Sequence, residues 1–472
     1  MNELVAKDAA EVITLLKTGD ITPHDCLDAL EERIAETESD VHALPTLCFE
    51  RARVHADALM LKPLAQRGEL AGLPVPIKDL TAVAGVLTTL GSRVFAEHVP
   101  AASDFLVQNL EGHGGVVYAK SNTPEFGLGA NSFNDLFPTT RTPYNTDNSS
   151  AGSSGGAAAA LACGSAWLAH GSDMAGSLRT PASFCGVSSL RPSPGVFNSD
   201  SQNMPLMVLG QQGPMARNIA DLALLADGMT GLDPSNPTSK HFEPHAFFKA
   251  AGQPRMPKRV AVSADLGDLD VDDSVRAVIQ TVAGELAKQG VAVIEDCPDF
   301  TGADFAFDTL RAFGLASGLG SVLPDIQDKI KPEALWNIEQ GLALTRQDVA
   351  RAMQAQGLTM ARSAAFMADV DCLICPAVQR ASLHHAERYA GANDGLPVPE
   401  YFEWLRICCH TTTSGLPVLT LPAGFTELGE PVAIQVVGKP CGELDLMQLG
   451  AALESALGTA RKPFDPRPAY QV

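Results

Sequence analysis

The sequence predicts an α/β protein in which helices cover a sheet. Three observations carry that expectation. Helical and strand patterns alternate from end to end, as a helix-layered sheet requires. Apolar residues make up 45% and charged residues 19% of 472, a balance that supplies a large core and rules out a disordered or fibrous chain. No internal repeat or linker interrupts the chain, so a single domain is expected although the length alone would allow two or three.

The elements follow in order. Residues 3–18 and 23–38 read as helices, the second opened by Thr22 and Pro23. LPVPIKDL (73–80) reads as a short strand running into a loop. Residues 105–120 read as helix, a turn at His113-Gly114-Gly115, and a strand through Val116-Val117-Tyr118. Residues 141–156 are loop-like, rich in Pro, Asn, Ser and Gly. AAAALACGSAWLAHG (157–171) is a small-residue apolar stretch, either a buried helix or a helix plus a strand. Helices fit 218–229, 272–289, 304–318, 345–367 and 443–457. Strands fit 259–263, 291–295, 371–375, 417–421 and 432–438. A polar, proline-containing crossover spans 234–257, and 301–370 reads as a helical insertion of the kind that shapes a substrate pocket.

Charge narrows the function classes. Lys and Arg total 34 against 55 Asp and Glu, a formal charge of −21. Such a surface repels phosphate backbones and anionic lipid, which argues against nucleic-acid and membrane partners. No stretch approaches the ~18 uninterrupted apolar residues of a membrane span. MNELVAKDAAEV lacks the features of a signal peptide, so a cytoplasmic protein is expected. The ten cysteines show no framework spacing and read as reduced, mostly buried thiols.

The chemistry concentrates in 148–186, where two Ser/Gly clusters interrupt apolar sequence. Glycines let backbone turn sharply and approach a ligand. The run Ser172-Asp173-Met174-Ala175-Gly176-Ser177 offers consecutive N–H groups to a developing oxyanion. A flexible turn is the plainer reading of such clusters. A phosphate loop lacks its Gly-Lys-Ser/Thr ending, and the Gly-x-Ser-x-Gly elbow is absent.

Taken together, AGSSGG (151–156) and GSDMAGSLRTPASFCG (171–186) resemble the defining run of the amidase signature family, with Ser153 and Ser177 24 residues apart as in that family. Upstream, GLPVPIKDLTAVAGVLTTLGS (72–92) resembles its lysine segment and puts Lys78 in the catalytic position. KSNTPEFGLGANSFNDLFPTTRTPYN (120–145), GPMARNIADLALLADGMTG (213–231) and SGLPVLTLPAGF…GEPVAIQVVG (414–438) extend the likeness over nearly the whole chain, weakly in 240–400. It implies a large mixed twisted β-sheet covered by helices on both faces (α/β/α). The single domain 1–472 would comprise N-terminal helices 1–60, a signature core 61–235, a variable substrate-shaping region 300–400 and a C-terminal sheet portion 401–472.

The resemblance also implies a mechanism. Ser177 would attack a carboxamide carbon, Ser153, in a cis peptide, would pass the proton to Lys78, and an acyl-enzyme on Ser177 would then be hydrolysed. Lys78 must be neutral for this, and its flanks Leu73, Val75, Ile77 and Leu80 suit a desolvated amine. Asp79 would oppose the shift but should point the other way along a strand. The N–H groups of Met174, Ala175, Gly176 and Ser177 would form the oxyanion hole, with Ser154, Asp173 and Arg179 in support. No cofactor and no metal are implied, and related enzymes are often homodimers. Departures from the family are Ala151 and Ala175 where Gly is usual, and Arg191-Pro192-Ser193 in place of Lys-Pro-Thr. Ala175 is the one expected to matter, should its position need a positive φ.

Other candidates read as structural. Cys372 and Cys375 sit in the apolar CLICPAV, Cys408-Cys409-His410 lacks ligand spacing, and His170 reads as a buried histidine more than as a base for Ser177. Phe126, Phe133, Phe137 and Trp336 are candidates to line the pocket, and Arg406 to meet a substrate carboxylate. Two rival functions stand beside a small-molecule amidase. The glutaminase subunit of a tRNA-dependent amidotransferase usually carries an Asp before the equivalent of Ser414–Pro417, and EWLRICCHTTT (403–413) has none. A non-catalytic paralogue is disfavoured by the presence of Lys78, Ser153 and Ser177.

Overall fold

The computed structural model describes residues 1–200 and 204–468, so the signature core 61–235 and the C-terminal portion 401–472 each include a few residues outside the described set. Its centre is a mixed eight-stranded sheet. The strand order is Ala292–Glu295, Arg259–Val262, Cys372–Pro376, Pro431–Val437, Val418–Phe425, Ser188–Arg191, Gln211–Ala216 and Leu168–Asp173. The first three strands run parallel and every later pair is antiparallel.

Side chains alternate across the sheet with the two-residue period of a pleated strand. Val260, Val262, Cys372, Ile374, Leu419, Leu421, Ile434 and Val436 enter one apolar cluster, shared with Ile279, Val282, Leu286, Leu446 and Leu453 of the helices Asp273–Lys288 and Glu443–Leu457. Ala261, Leu373, Cys375, Val418 and Val437 enter a second, shared with Phe307 and Leu310 of Ala303–Leu319. Burying both faces explains why these strands read as nearly continuous apolar runs. It also disposes of the Cys-x-x-Cys: Cys372 and Cys375 face opposite cores, and the described residues hold no cluster of metal-ligating side chains.

A smaller sheet, ordered Thr46–Leu47, Val116–Ser121, Pro74–Lys78, lies beside the Leu168–Asp173 edge. The Lys78 main-chain N–H donates to His170 Nδ1 across that junction at 3.3 Å. The small-residue stretch resolves into the helix Gly155–Cys163 and the strand Leu168–Asp173. A Cβ on Gly156 would stand 2.3 Å from Asn122 N and 2.4 Å from Ala43 O, so the helix can seat this close to neighbouring backbone only with glycine there.

Most expected elements recur within a few residues, and 301–370 is helical, with Ala303–Leu319, Leu323–Ile326, Pro332–Ala343 and Arg346–Phe366. Three differences stand out. The loop-like 141–156 carries a short hairpin, Arg141–Thr142 with Asn145–Ser149. The helix Phe49–Met60 falls within the expected N-terminal helices 1–60 without having been delimited there, and Arg406–Thr413 had no sequence expectation. Nor did Ser188–Arg191 and Gln211–Ala216, two interior strands whose SSLR and QQGPMA lack apolar alternation. Pro214 is tolerated because the ladder to Ser188–Arg191 covers only Met215 and Ala216. No helix among the described residues is long and apolar enough to cross a membrane.

Candidate active site

The two sheets and the Gly155–Cys163 helix bring Lys78, Ser153 and Ser177 to one place. Lys78 ends its strand with its ammonium fully buried. Lys78 Nζ donates to Ser153 Oγ at 2.7 Å, Ser154 Oγ at 2.8 Å, and Ser172 Oγ and O at 3.0 and 3.3 Å. All four acceptors are neutral. Burial therefore pulls the amine down to about 7, against a smaller opposing pull from the Asp173 carboxylate. Asp79 points away as expected, to Thr89 N–H, Thr89 Oγ1 (2.5 Å) and Lys120 Nζ (3.3 Å). The Gly152–Ser153 peptide is cis.

Ser177 is 9% exposed, lines a cavity of about 620 Å³, and its hydroxyl bonds to no described residue. Its carbonyl accepts from Ser154 N–H at 3.1 Å, which ties the two Ser/Gly clusters together. Asp173 and Arg179 shape the turn between. Asp173 Oδ1 accepts from Gly176 N–H and Oδ2 from Leu178 N–H, each at 3.0 Å. Gly176 N–H is thus already engaged, contrary to its expected place among oxyanion donors. Ala175 and Ser177 N–H have no acceptor among the described residues. Ala175 stays out of the left-handed region while Gly176 takes φ 100°, so the strain feared at Ala175 is absent. It falls instead on Ala151, at φ 57° and fully buried.

Arg179 holds Asp173 with Nε at 3.0 Å and Nη2 at 2.7 Å, and donates also to Cys408 O, Thr411 Oγ1, Thr412 Oγ1 and Gln435 Oε1. Burial pushes the Asp173 carboxyl up, but Arg179 and Arg191 outweigh it and hold it well below the usual range. Arg191 bridges Asp173 O (2.6 Å) and Leu209 O (2.8 Å). The fork of a guanidinium spans two carbonyls in a way an ammonium does not, which gives the Lys-to-Arg departure its structural reason.

His170 is excluded as a base. Its Nδ1 accepts from Lys78 N–H, so its Nε2 carries the proton and donates to Gln212 Oε1 at 2.9 Å. Burial pulls the ring down to about 3 and keeps it neutral.

Of the residues expected to line the pocket, Phe126 does so. Phe133, Phe137, Trp336 and Arg406 do not. Phe133 lies between Lys331 Nζ and the Arg388 guanidinium, 5.0 and 4.8 Å from its centroid. Trp336 packs on Tyr401 and Phe402. Arg406 is saturated by Asp308 and Glu403, with Asp304 at 3.5 Å. Sequence reasoning missed Ser172, which sat in the motif without a role, and Arg311 and Leu310, whose local sequence carries no signal. The mostly apolar lining also draws on Leu90, Met207 and Leu405.

Residues 25–447 match the family model described as Amidase. The chain is 30% identical to the acylamidase of Rhodococcus erythropolis over 465 residues, covering 97% of each. It is also 30% identical to a glutamyl-tRNA(Gln) amidotransferase subunit of Synechococcus sp. (strain CC9902), covering 93% of this chain and 94% of that one. Among solved structures, 6-aminohexanoate cyclic dimer hydrolase complexed with substrate superposes with a TM-score of 0.87 at 25% identity, covering 98% and 99% of the two chains. The chain belongs to the Amidase family, that of the amidase signature enzymes, and is a hydrolase of carbon–nitrogen amide bonds.

Proposed function

We propose that the protein hydrolyses a small-molecule carboxamide through a Ser177 acyl-enzyme, with Ser153 as proton relay and Lys78 as base. The observation that carries this reading is a fully buried lysine, pulled down to about 7 and 2.7 Å from Ser153 Oγ. With Lys78 neutral, its lone pair takes the Ser153 proton while Ser153 Oγ takes that of Ser177. Ser177 Oγ bonds to the carbonyl carbon, and the oxyanion meets the N–H groups of Ala175 and Ser177, with Met174 N–H as a third donor. Collapse breaks the C–N bond as the proton returns through Ser153 to the leaving nitrogen. Water then attacks the ester, delivers a proton along the same path and frees the acid. Ser154 and Ser172 hold the amine in line throughout.

Two supports favour a stand-alone amidase: the acylamidase relative is matched over 97% of each chain, and the cavity is mostly apolar. The likeness to the amidotransferase protein keeps a glutaminase role as the second reading. Amine or ammonia release from an amide panel that includes glutamine separates them. Activity lost in both Ser177→Ala and Lys78→Ala supports the mechanism, and activity that survives Ser177→Ala overturns it. Glutamine as the sole substrate would favour the second reading.

A further inference from the structure

Two buried arginines near the cavity differ in how their charge is met. Arg406 is neutralised by Asp308 and Glu403 and is not among the residues that line the cavity. Arg311, one turn beyond Asp308 on Ala303–Leu319, lines the cavity and is 4% exposed. No carboxylate lies within ion-pair distance of it among the described residues. Its two hydrogen bonds go to neutral oxygens, Asn337 Oδ1 from Nη1 and Tyr401 OH from Nη2. The nearby acids are engaged elsewhere: Glu333 by Arg388 at 3.0 and 2.7 Å, and Asp308 by Arg406. Three of the five guanidinium N–H groups are therefore without an acceptor among the described residues. The guanidinium lies 5.3 and 5.0 Å from the Tyr401 and Phe402 ring centroids, so its direction is held.

The Asp308 carboxylate acts on Arg311 from beyond ion-pair distance while bonded to Arg406, so the buried Arg311 charge is only partly met, which is unfavourable unless a ligand supplies more. Arg311 is the single cationic side chain among the described residues that line the cavity. The only acid there, Asp173, is bound by Arg179 and Arg191. The lining is otherwise mostly apolar, with Leu80, Leu90, Phe126, Leu310, Leu315 and Phe402 among it. We propose that Arg311 is the substrate-recognition residue of this site. On this view the substrate is an amide whose scissile group is joined through an apolar segment to a remote carboxylate, which the free N–H groups of Arg311 receive as a fork. This rests on the amidase reading and narrows its substrate class.

The test compares kcat/KM within two matched pairs: glutaric acid mono-p-nitroanilide with its methyl ester, and N-butyryl-4-aminobenzoate with N-butyrylaniline. The charged member of at least one pair should lead by about 10-fold or more, the value of a charge-assisted hydrogen bond. That ratio should fall toward one in Arg311→Gln and partly return in Arg311→Lys. Ratios near or below one in wild type for both pairs, or a ratio unmoved by Arg311→Gln in a folded variant, would overturn the proposal. If no amide is cleaved, the amidase reading is what fails. Calorimetry of glutaric acid mono-p-nitroanilide and its ester with Ser177→Ala, with and without Arg311→Gln, then decides the recognition proposal separately. Tighter binding of the acid that vanishes with Arg311→Gln supports it, and equal binding overturns it.

Discussion

Two lysines stand on neighbouring parallel strands, Lys78 on Pro74–Lys78 and Lys120 on Val116–Ser121, and both are fully buried. They are built for different ends. Lys120 Nζ meets a carboxylate, Asp79 Oδ1 at 3.3 Å, together with Thr81 O and Thr88 Oγ1. Lys78 meets hydroxyls and one carbonyl, and the carboxylate that would favour its charge, Asp173, is held by two arginines. Burial lowers both, Lys120 to about 8 and Lys78 to about 7. Burial alone therefore does not make a base. What separates the two is that the neighbours of Lys78 can give up protons, whereas Lys120 is tied to an ion that keeps it a cation.

The largest break in this comparison is expected from Lys78→Met. Loss of general base catalysis should lower kcat/KM by on the order of 1000-fold. Lys120→Met should do the reverse, leaving Asp79 buried without its partner and lowering stability by about 3–5 kcal/mol. Denaturant melts beside steady-state rates check the contrast, and equal catalytic losses in the two variants would contradict it.

Gly176→Ala comes next. Its Cβ would stand 2.7 Å from Cys408 Sγ and 2.8 Å from Thr180 Oγ1, at a φ of 100° that alanine resists. The turn carrying Ala175 and Ser177 N–H must shift, so kcat should fall by about 100-fold with KM changed far less, the signature of a displaced oxyanion donor.

The pH dependence sharpens the same point. In wild type, kcat/KM should rise through about pH 7 as Lys78 loses its proton. Stability carries the matching sign. The folded-state value of Lys78 lies below the ordinary 10.5, so the unfolded chain binds the extra proton. The burden on the fold is full below about 7 and fades as pH climbs to about 10. Any stability advantage of Lys78→Met should accordingly shrink between those limits, as read by melting temperature.

The smallest effect belongs to Ala151→Gly. Relief of the left-handed backbone, about 1 kcal/mol, opposes loss of a buried methyl worth about 0.8 kcal/mol. Melting should move little, and a large loss would mean that the methyl group matters more than the φ angle.

Much of the site could be read from the sequence because its residues lie in short runs whose spacing carries the resemblance: Lys78 bonds to Ser153, and Ser153 and Ser177 line one cavity. Partners that come together only through folding could not. Gly176 looked like an oxyanion donor until Asp173, three residues back, took its N–H. Arg406 and Arg311 look alike in sequence, and only the packing of Ala303–Leu319 on Asn337 and Tyr401 distinguishes a neutralised arginine from an unpaired one. The strands Ser188–Arg191 and Gln211–Ala216 escaped because buried hydroxyls and amides replaced the apolar alternation that signals a strand.

The charge state of Lys78 decides whether it is the base, and NMR titration of side-chain-labelled lysine, with Lys78→Met to assign the resonance, measures it directly. A buried, neutral Lys78 should titrate with a midpoint near 7. A midpoint near the ordinary lysine value of 10.5 would leave Lys78 a cation at neutral pH and contradict its role as the base.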